Sequence, residues 1–111
     1  MASGAPNWVR AILESPFASN VERNRLYAIA CAQDMLSRGE APFASHLMYP
    51  QLFPKYSEEE RQRGMAAGRV WIPAAELSVV YIDLGLTEGM LRGIAKAEAE
   101  GVPVERRALP R

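Results

Sequence analysis

A chain of 111 residues, nearly half of them hydrophobic and 23% charged, can build one buried core and has little room for a second, so residues 1–111 are read as one domain. Thirteen basic and thirteen acidic residues cancel, and no net field draws the chain to polymeric nucleic acid or an anionic membrane. No apolar run approaches the ~20 residues of a membrane span, the amino terminus lacks a signal peptide's apolar stretch, and the single Cys31 permits no internal disulfide, so a cytoplasmic protein is expected.

Residues 8–13 (WVRAIL) read as a first strand, stopped by Glu14-Ser15-Pro16-Phe17, because proline cannot donate a ladder hydrogen bond. Ser19 or Asn20 caps a helix that runs to about Arg38. Its inner stripe is Val21, Ala28, Ile29, Ala32, Met35 and Leu36, and Gly39 is a natural residue just past its end. Residues 40–44 are a second strand, followed by an aromatic, proline-punctuated loop over residues 45–56. Ser57 and Glu60 form a capping box for a helix that carries Met65, Ala66, Arg69 and Val70 and ends before Pro73. Residues 77–83 are a buried strand, Asp83-Leu84-Gly85 breaks it, and a helix opens at Thr87-Glu88 with Met90, Leu91, Ile94 and Ala97 at helical spacing. Val102-Pro103-Val104 starts an edge strand.

Strands alternating with helices imply an α/β domain of about four parallel strands with helices on both faces. Such a sheet puts all its carboxyl ends on one edge, where ligands bind. That edge gathers Glu14-Ser15-Pro16-Phe17, Ser45-His46, and the segment from Asp83 to Met90. Asp83 and Glu88 make it acidic, which disfavours phosphate and suits ribose hydroxyls, the donors a carboxylate accepts. Glu88 also complements a helix dipole, a purely structural role. His46, the only histidine, is either a structural hydrogen-bonder or a catalyst. No metal is expected, because there is no second histidine and Cys31 lies within a helix. No cofactor is expected either, because Walker and dinucleotide glycine patterns are absent and Gly85-x-x-x-Gly89 is a weak signal. A Ser-His-acid triad from Ser15 or Ser45, His46 and Asp83 lacks a nucleophile-elbow sequence. Phe17, Tyr49, Phe53 and Tyr56 could stack on a nucleobase, pack beneath the loop, or cover a neighbouring subunit.

Four segments, ESPFASNVERNRLYA, APFASHLMYPQ, EEERQRGMAAG and VVYIDLGLTEGMLRGIAKAEAEGVPVE, together resemble the nucleoside 2-deoxyribosyltransferase-like superfamily, and within it a small branch common in phages and mobile elements. The resemblance runs from Ala11 to Glu105. It implies a flavodoxin-like three-layer sandwich, a nucleoside or nucleotide pocket at the carboxyl edge, and homo-oligomers whose neighbours help complete the site. In catalytic members, a strand-end Asp and a Ser/Thr-x-Gly-Met-like turn lead into a helix whose Glu attacks the anomeric carbon. Asp83, Thr87, Gly89 and Met90 match that pattern, and Ser15-Pro16-Phe17 matches the first-strand loop. The nucleophile does not carry over, because its position is Gly93.

A vacated position at Gly93 would leave room for a ligand. The expected function is therefore binding of a nucleoside, nucleotide or related ribosylated small molecule, sequestered without turnover. One alternative is an N-glycosidase or deoxyribosyltransferase using a relocated carboxylate, Glu88 or Asp83. Another is an oligomeric interaction module. The candidate ligand-binding residues are Ser15, Pro16, Phe17, His46, Asp83, Gly85, Thr87, Glu88, Gly89, Met90 and Gly93.

Overall fold

The structure, a computed structural model, describes residues 7–110. Its elements are β1 (Val9–Glu14), α1 (Val21–Ser37), β2 (Glu40–Phe43), α2 (Ser45–Met48), α3 (Glu58–Val70), β3 (Leu77–Tyr81), α4 (Glu88–Ala99) and β4 (Val104–Arg107). Two 3₁₀ turns, Tyr49–Leu52 and Ile72–Ala74, flank α3. The four strands form one parallel sheet in the order β2-β1-β3-β4. This is the α/β architecture expected from the alternation of elements, with the strand order of flavodoxin-like sheets. The chain order reverses between β1 and β3, so the crevice beyond their carboxyl ends is where such a sheet offers a binding site. No helix among the described residues is long and apolar enough to cross a membrane.

Strand alternation sorts the core into two layers. Ala11 and Leu13 of β1, with Val79 and Tyr81 of β3, pack against Cys31 and Met35 of α1. On the other face, Ile12 meets Ile72, Ala97 and Val102, and Val80 meets Met90 and Ile94 of α4. β1 runs one residue further than its sequence suggests: Glu14 pairs with Val80 and shares the face of Ile12. A strand continues for as long as its neighbours supply ladder bonds, so the stop before Pro16 acts one residue later than expected.

Three helices depart from their sequence reading. The buried stripe of α1 is Asn24, Ala28, Cys31 and Met35, whereas Val21 and Leu36 are half exposed. Asn24 earns its place by donating to the carbonyls of Phe17 and Ala18, both at 2.9 Å, which ties the first loop to the helix. α3 buries no large side chain; Gly64 and Gly68 form its inner face, and Val70 is exposed. Its Ser57–Glu60 capping box forms as predicted, with bonds of 3.2 and 2.8 Å. The segment expected as a loop over residues 45–56 coils into α2 and a 3₁₀ turn. Tyr49, Phe53 and Tyr56 are half-buried there, against Phe43, Phe17 and the bare flank of Gly64, whereas Met48 and Leu52 are exposed.

Candidate functional site

A cleft of about 300 Å³ opens at the carboxyl edge of β1 and β3, between the sheet, α3 and the first turns of α4. Its volume lies at the lower end of the ~300–1,000 Å³ typical of small-molecule clefts. Ser15, Phe17, His46, Thr87, Glu88, Gly89, Met90 and Gly93 all line it, brought together from three loops. The Thr87 hydroxyl caps α4 by accepting from the Met90 amide at 3.2 Å, which fixes that lip.

Pro16, Asp83 and Gly85 do not line the cleft. Pro16 is buried behind it, and Gly85 makes the exposed turn after β3 with φ +88°, a conformation glycine adopts without a steric penalty. Asp83 shares the parity of Tyr81 and so falls on the α1 side of the sheet. There its Oδ2 accepts from the Tyr27 hydroxyl at 2.6 Å and from the Leu109 amide at 3.0 Å. Its carboxylate clamps helix and tail, which corrects the expectation of a ligand-facing Asp83. Glu88 does reach the lip, but its side chain is 82% exposed and pairs with Arg92 at 3.4 Å.

The polar wall is built around Ser15 and His46. Ser15 is buried, and its Oγ lies 2.7 Å from His46 Nε2, the direction of the bond depending on the imidazole tautomer. Burial pushes the His46 pKa down to about 4, so the ring is neutral at neutral pH. Phe17 packs edge-to-face with His46 and with Tyr56, with ring centroids at 6.4 and 6.0 Å. Tyr56 itself sits at φ +49°, a left-handed backbone uncommon for a bulky residue. Such strain persists only where surrounding packing enforces it, and here it holds an aromatic ring on the rim of a cleft.

The residue that sequence reasoning missed is Glu14. As the last residue of β1, on the Ile12 face, it projects its carboxyl into the cleft wall beneath α4. Burial pushes its pKa up to about 8, partly offset by the Arg69 guanidinium. The side chain is partly accessible through the cleft, yet protein surrounds it on nearly every side. It makes no hydrogen bond or ion pair among the described residues. A Cβ built on Gly93 would overlap its Oε2 and lie 2.6 Å from Cδ and 3.0 Å from Oε1. The room that Gly93 leaves is therefore filled by the Glu14 carboxyl, not held open for a ligand, and that expectation is corrected. The available signal was an acid placed at period two from Ile12 on a buried parallel strand. Among the described residues no cluster of three or more His, Cys, Asp or Glu could hold a metal ion.

This architecture has a solved counterpart. A 2-deoxyribosyltransferase from the psychrotolerant bacterium Bacillus psychrosaccharolyticus superposes with a TM-score of 0.64 at 19% sequence identity, over 89% of this chain and 72% of that chain. At that identity the likeness is one of fold. No curated protein matches the sequence. A family model does, over residues 10–107, nearly the whole sheet and its helices. The chain belongs to the family described as Domain of unknown function (DUF7768).

Proposed function

We propose that the cleft binds a nucleoside or nucleotide-like small molecule, its base against Phe17 and Tyr56 and its sugar turned toward Glu14 and Thr87. One observation carries this reading. At the switch point of the sheet, an aromatic wall and a carboxyl without a partner among the described residues share one partly enclosed cleft. The aromatic faces suit a planar base, and the carboxyl offers acceptors or a proton to the sugar side. The fold shared with a 2-deoxyribosyltransferase supports the same ligand class by analogy.

Cleavage of an N-glycosidic bond is the second reading. It is favoured by Glu14, because a glycine at position 93 no longer leaves the cleft without a carboxyl. Sequestration without turnover loses its main support for the same reason. A homo-oligomer belongs to this proposal too, though its physical basis narrows to the exposed Met48, Leu52, Val70 and Trp71.

Two measurements test the ligand. Mass spectrometry of small molecules released on denaturing the purified protein is expected to find a base-containing compound. Calorimetry with purine and pyrimidine nucleosides and their monophosphates is expected to show binding that Phe17→Ala weakens by about tenfold, the scale of one aromatic contact. Failure of every such compound to bind would remove the proposal.

A further inference from the structure

Glu14 differs in its surroundings from the other acids near the cleft. Its carboxyl lines the cleft, seated on the bare backbone of Gly93, with no donor or cation bonded to it among the described residues. The other two candidate acids are already engaged. Glu88 pairs with Arg92 on the exposed lip, and Asp83 accepts its hydrogen bonds on the far face of the sheet. The charged and titratable groups that line the cleft with Glu14 are Arg61 and Arg69 from α3, Glu88 and Arg92 from α4, His46 from α2, and Tyr49 and Tyr56 from the segment between α2 and α3; Arg61 is paired to Glu58.

We infer that Glu14 is the general acid of this cleft and delivers its proton to the departing base of a bound N-glycoside. The inference rests on the nucleoside reading of the site. In the step, the bond between the anomeric carbon and the base nitrogen breaks, and its electron pair leaves on the base. The base takes the proton from the Glu14 carboxyl. A water oxygen forms the new bond to the anomeric carbon, its spare proton passes to solvent, and the Glu14 carboxylate is reprotonated when the products depart. The net change is hydrolysis to free base and free sugar.

The electrostatics single out this group. Burial outweighs Arg69 and holds the Glu14 pKa up to about 8, so the acid carries its proton at neutral pH. The same burial leaves His46 without one to give. A proton donor works best when its pKa lies near the working pH, and two environments that push two groups apart in this way divide the acid role from the others. Because its carboxyl lines the cleft and makes no hydrogen bond among the described residues, Glu14 can give its proton to a ligand without breaking an internal bond.

The test uses the full chain and follows release of free base from a panel of purine and pyrimidine ribo- and deoxyribonucleosides. It adds para-nitrophenyl riboside, whose leaving group departs without a proton. The native protein is expected to cleave at least one nucleoside, with kcat falling above about pH 8 as Glu14 ionises. Glu14→Gln should lower that kcat by about 100-fold or more, the usual worth of a general acid, and remove the alkaline limb. Its loss on the nitrophenyl riboside should be far smaller. Gly93→Ala, which pushes the carboxyl aside without deleting it, should reproduce the selective loss. Equal losses on both substrates, or nucleoside cleavage undiminished in Glu14→Gln, would overturn the inference. Nucleoside binding without cleavage by the native protein would overturn it while leaving the ligand reading intact. Absence of both would overturn the ligand reading as well.

Discussion

At the scale of single residues, Glu14 and His46 make stability depend on pH in opposite senses. Glu14 holds its proton more tightly folded, with a pKa of about 8, than unfolded, near 4.5. Its contribution is complete below about pH 4.5 and is lost as pH rises through about 8. His46 is the reverse: its folded pKa of about 4 lies below the model-peptide 6.5, so stability falls as pH drops from 6.5 toward 4. Between about pH 4.5 and 6.5 the two slopes cancel, and above that range the Glu14 slope remains. Urea denaturation is expected to show Glu14→Gln more stable than the native protein at pH 8, by on the order of a few kcal/mol, with little difference at pH 4. Equal stability of the two at pH 8 would mean that the carboxyl is hydrated rather than buried.

Between elements, the α2–α3 and α1–tail contacts set two further expectations. A Cβ on Gly68 would overlap the Cβ of Ser45 and lie 2.6 Å from its Oγ, and a short, stiff side chain next to backbone cannot swing away. Gly68→Ala should therefore destabilise the protein by about 1–3 kcal/mol, even though alanine is the better helix former. At Gly93 the obstacle is the far end of a flexible glutamate, so Gly93→Ala should cost far less stability. Thermal denaturation of the two variants side by side checks the contrast. Asp83 offers the complementary case. Asp83→Ala removes the acceptor for Tyr27 and Leu109, and hydrogen exchange should report a loosened segment after Arg107. Ligand affinity should stay within about twofold, well under 1.4 kcal/mol, because the residue lies on the other face of the sheet.

Across the whole molecule, one buried ion pair joins distant strands. Arg107 on β4 donates to both carboxylate oxygens of Glu40 on β2, at 2.8 and 2.9 Å, and its Nη1 also reaches the Tyr81 hydroxyl at 3.2 Å. The two residues sit at diagonally opposite corners of the sheet, which strand twist curls toward the same face. Replacing such a pair outright is often harmless, whereas removing one partner strands a buried charge. Glu40→Ala is accordingly expected to cost about 3 kcal/mol, softened by the remaining bond from Arg107 to Glu105 at 2.8 Å. That is a large share of the ~5–15 kcal/mol that holds a typical protein folded. A midpoint in urea unchanged by the substitution would show that the pair contributes nothing.

The order of strands and helices, the Ser57 and Thr87 caps, the turn at Gly39 and the parallel sheet were all legible in the sequence. So was the meeting of Ser15, Phe17, His46 and Thr87 at one edge. Each depends on local pattern, either hydrophobic period or capping chemistry, or on a topology those patterns imply. What the tertiary structure alone decided was the destination of polar and small residues. Asn24 is inside because two loop carbonyls meet it there, and Gly64 and Gly68 face inward because α2 and the Tyr49 turn press against them. Asp83 turns to α1 and Glu14 into the cleft through the parity of their strands, counted from where each ladder begins and ends. Apolar periodicity marks which face of an element is buried. It does not say which charged side chain is carried in at the end of a strand, because that depends on whether the facing helix has left a space for it, as α4 has at Gly93.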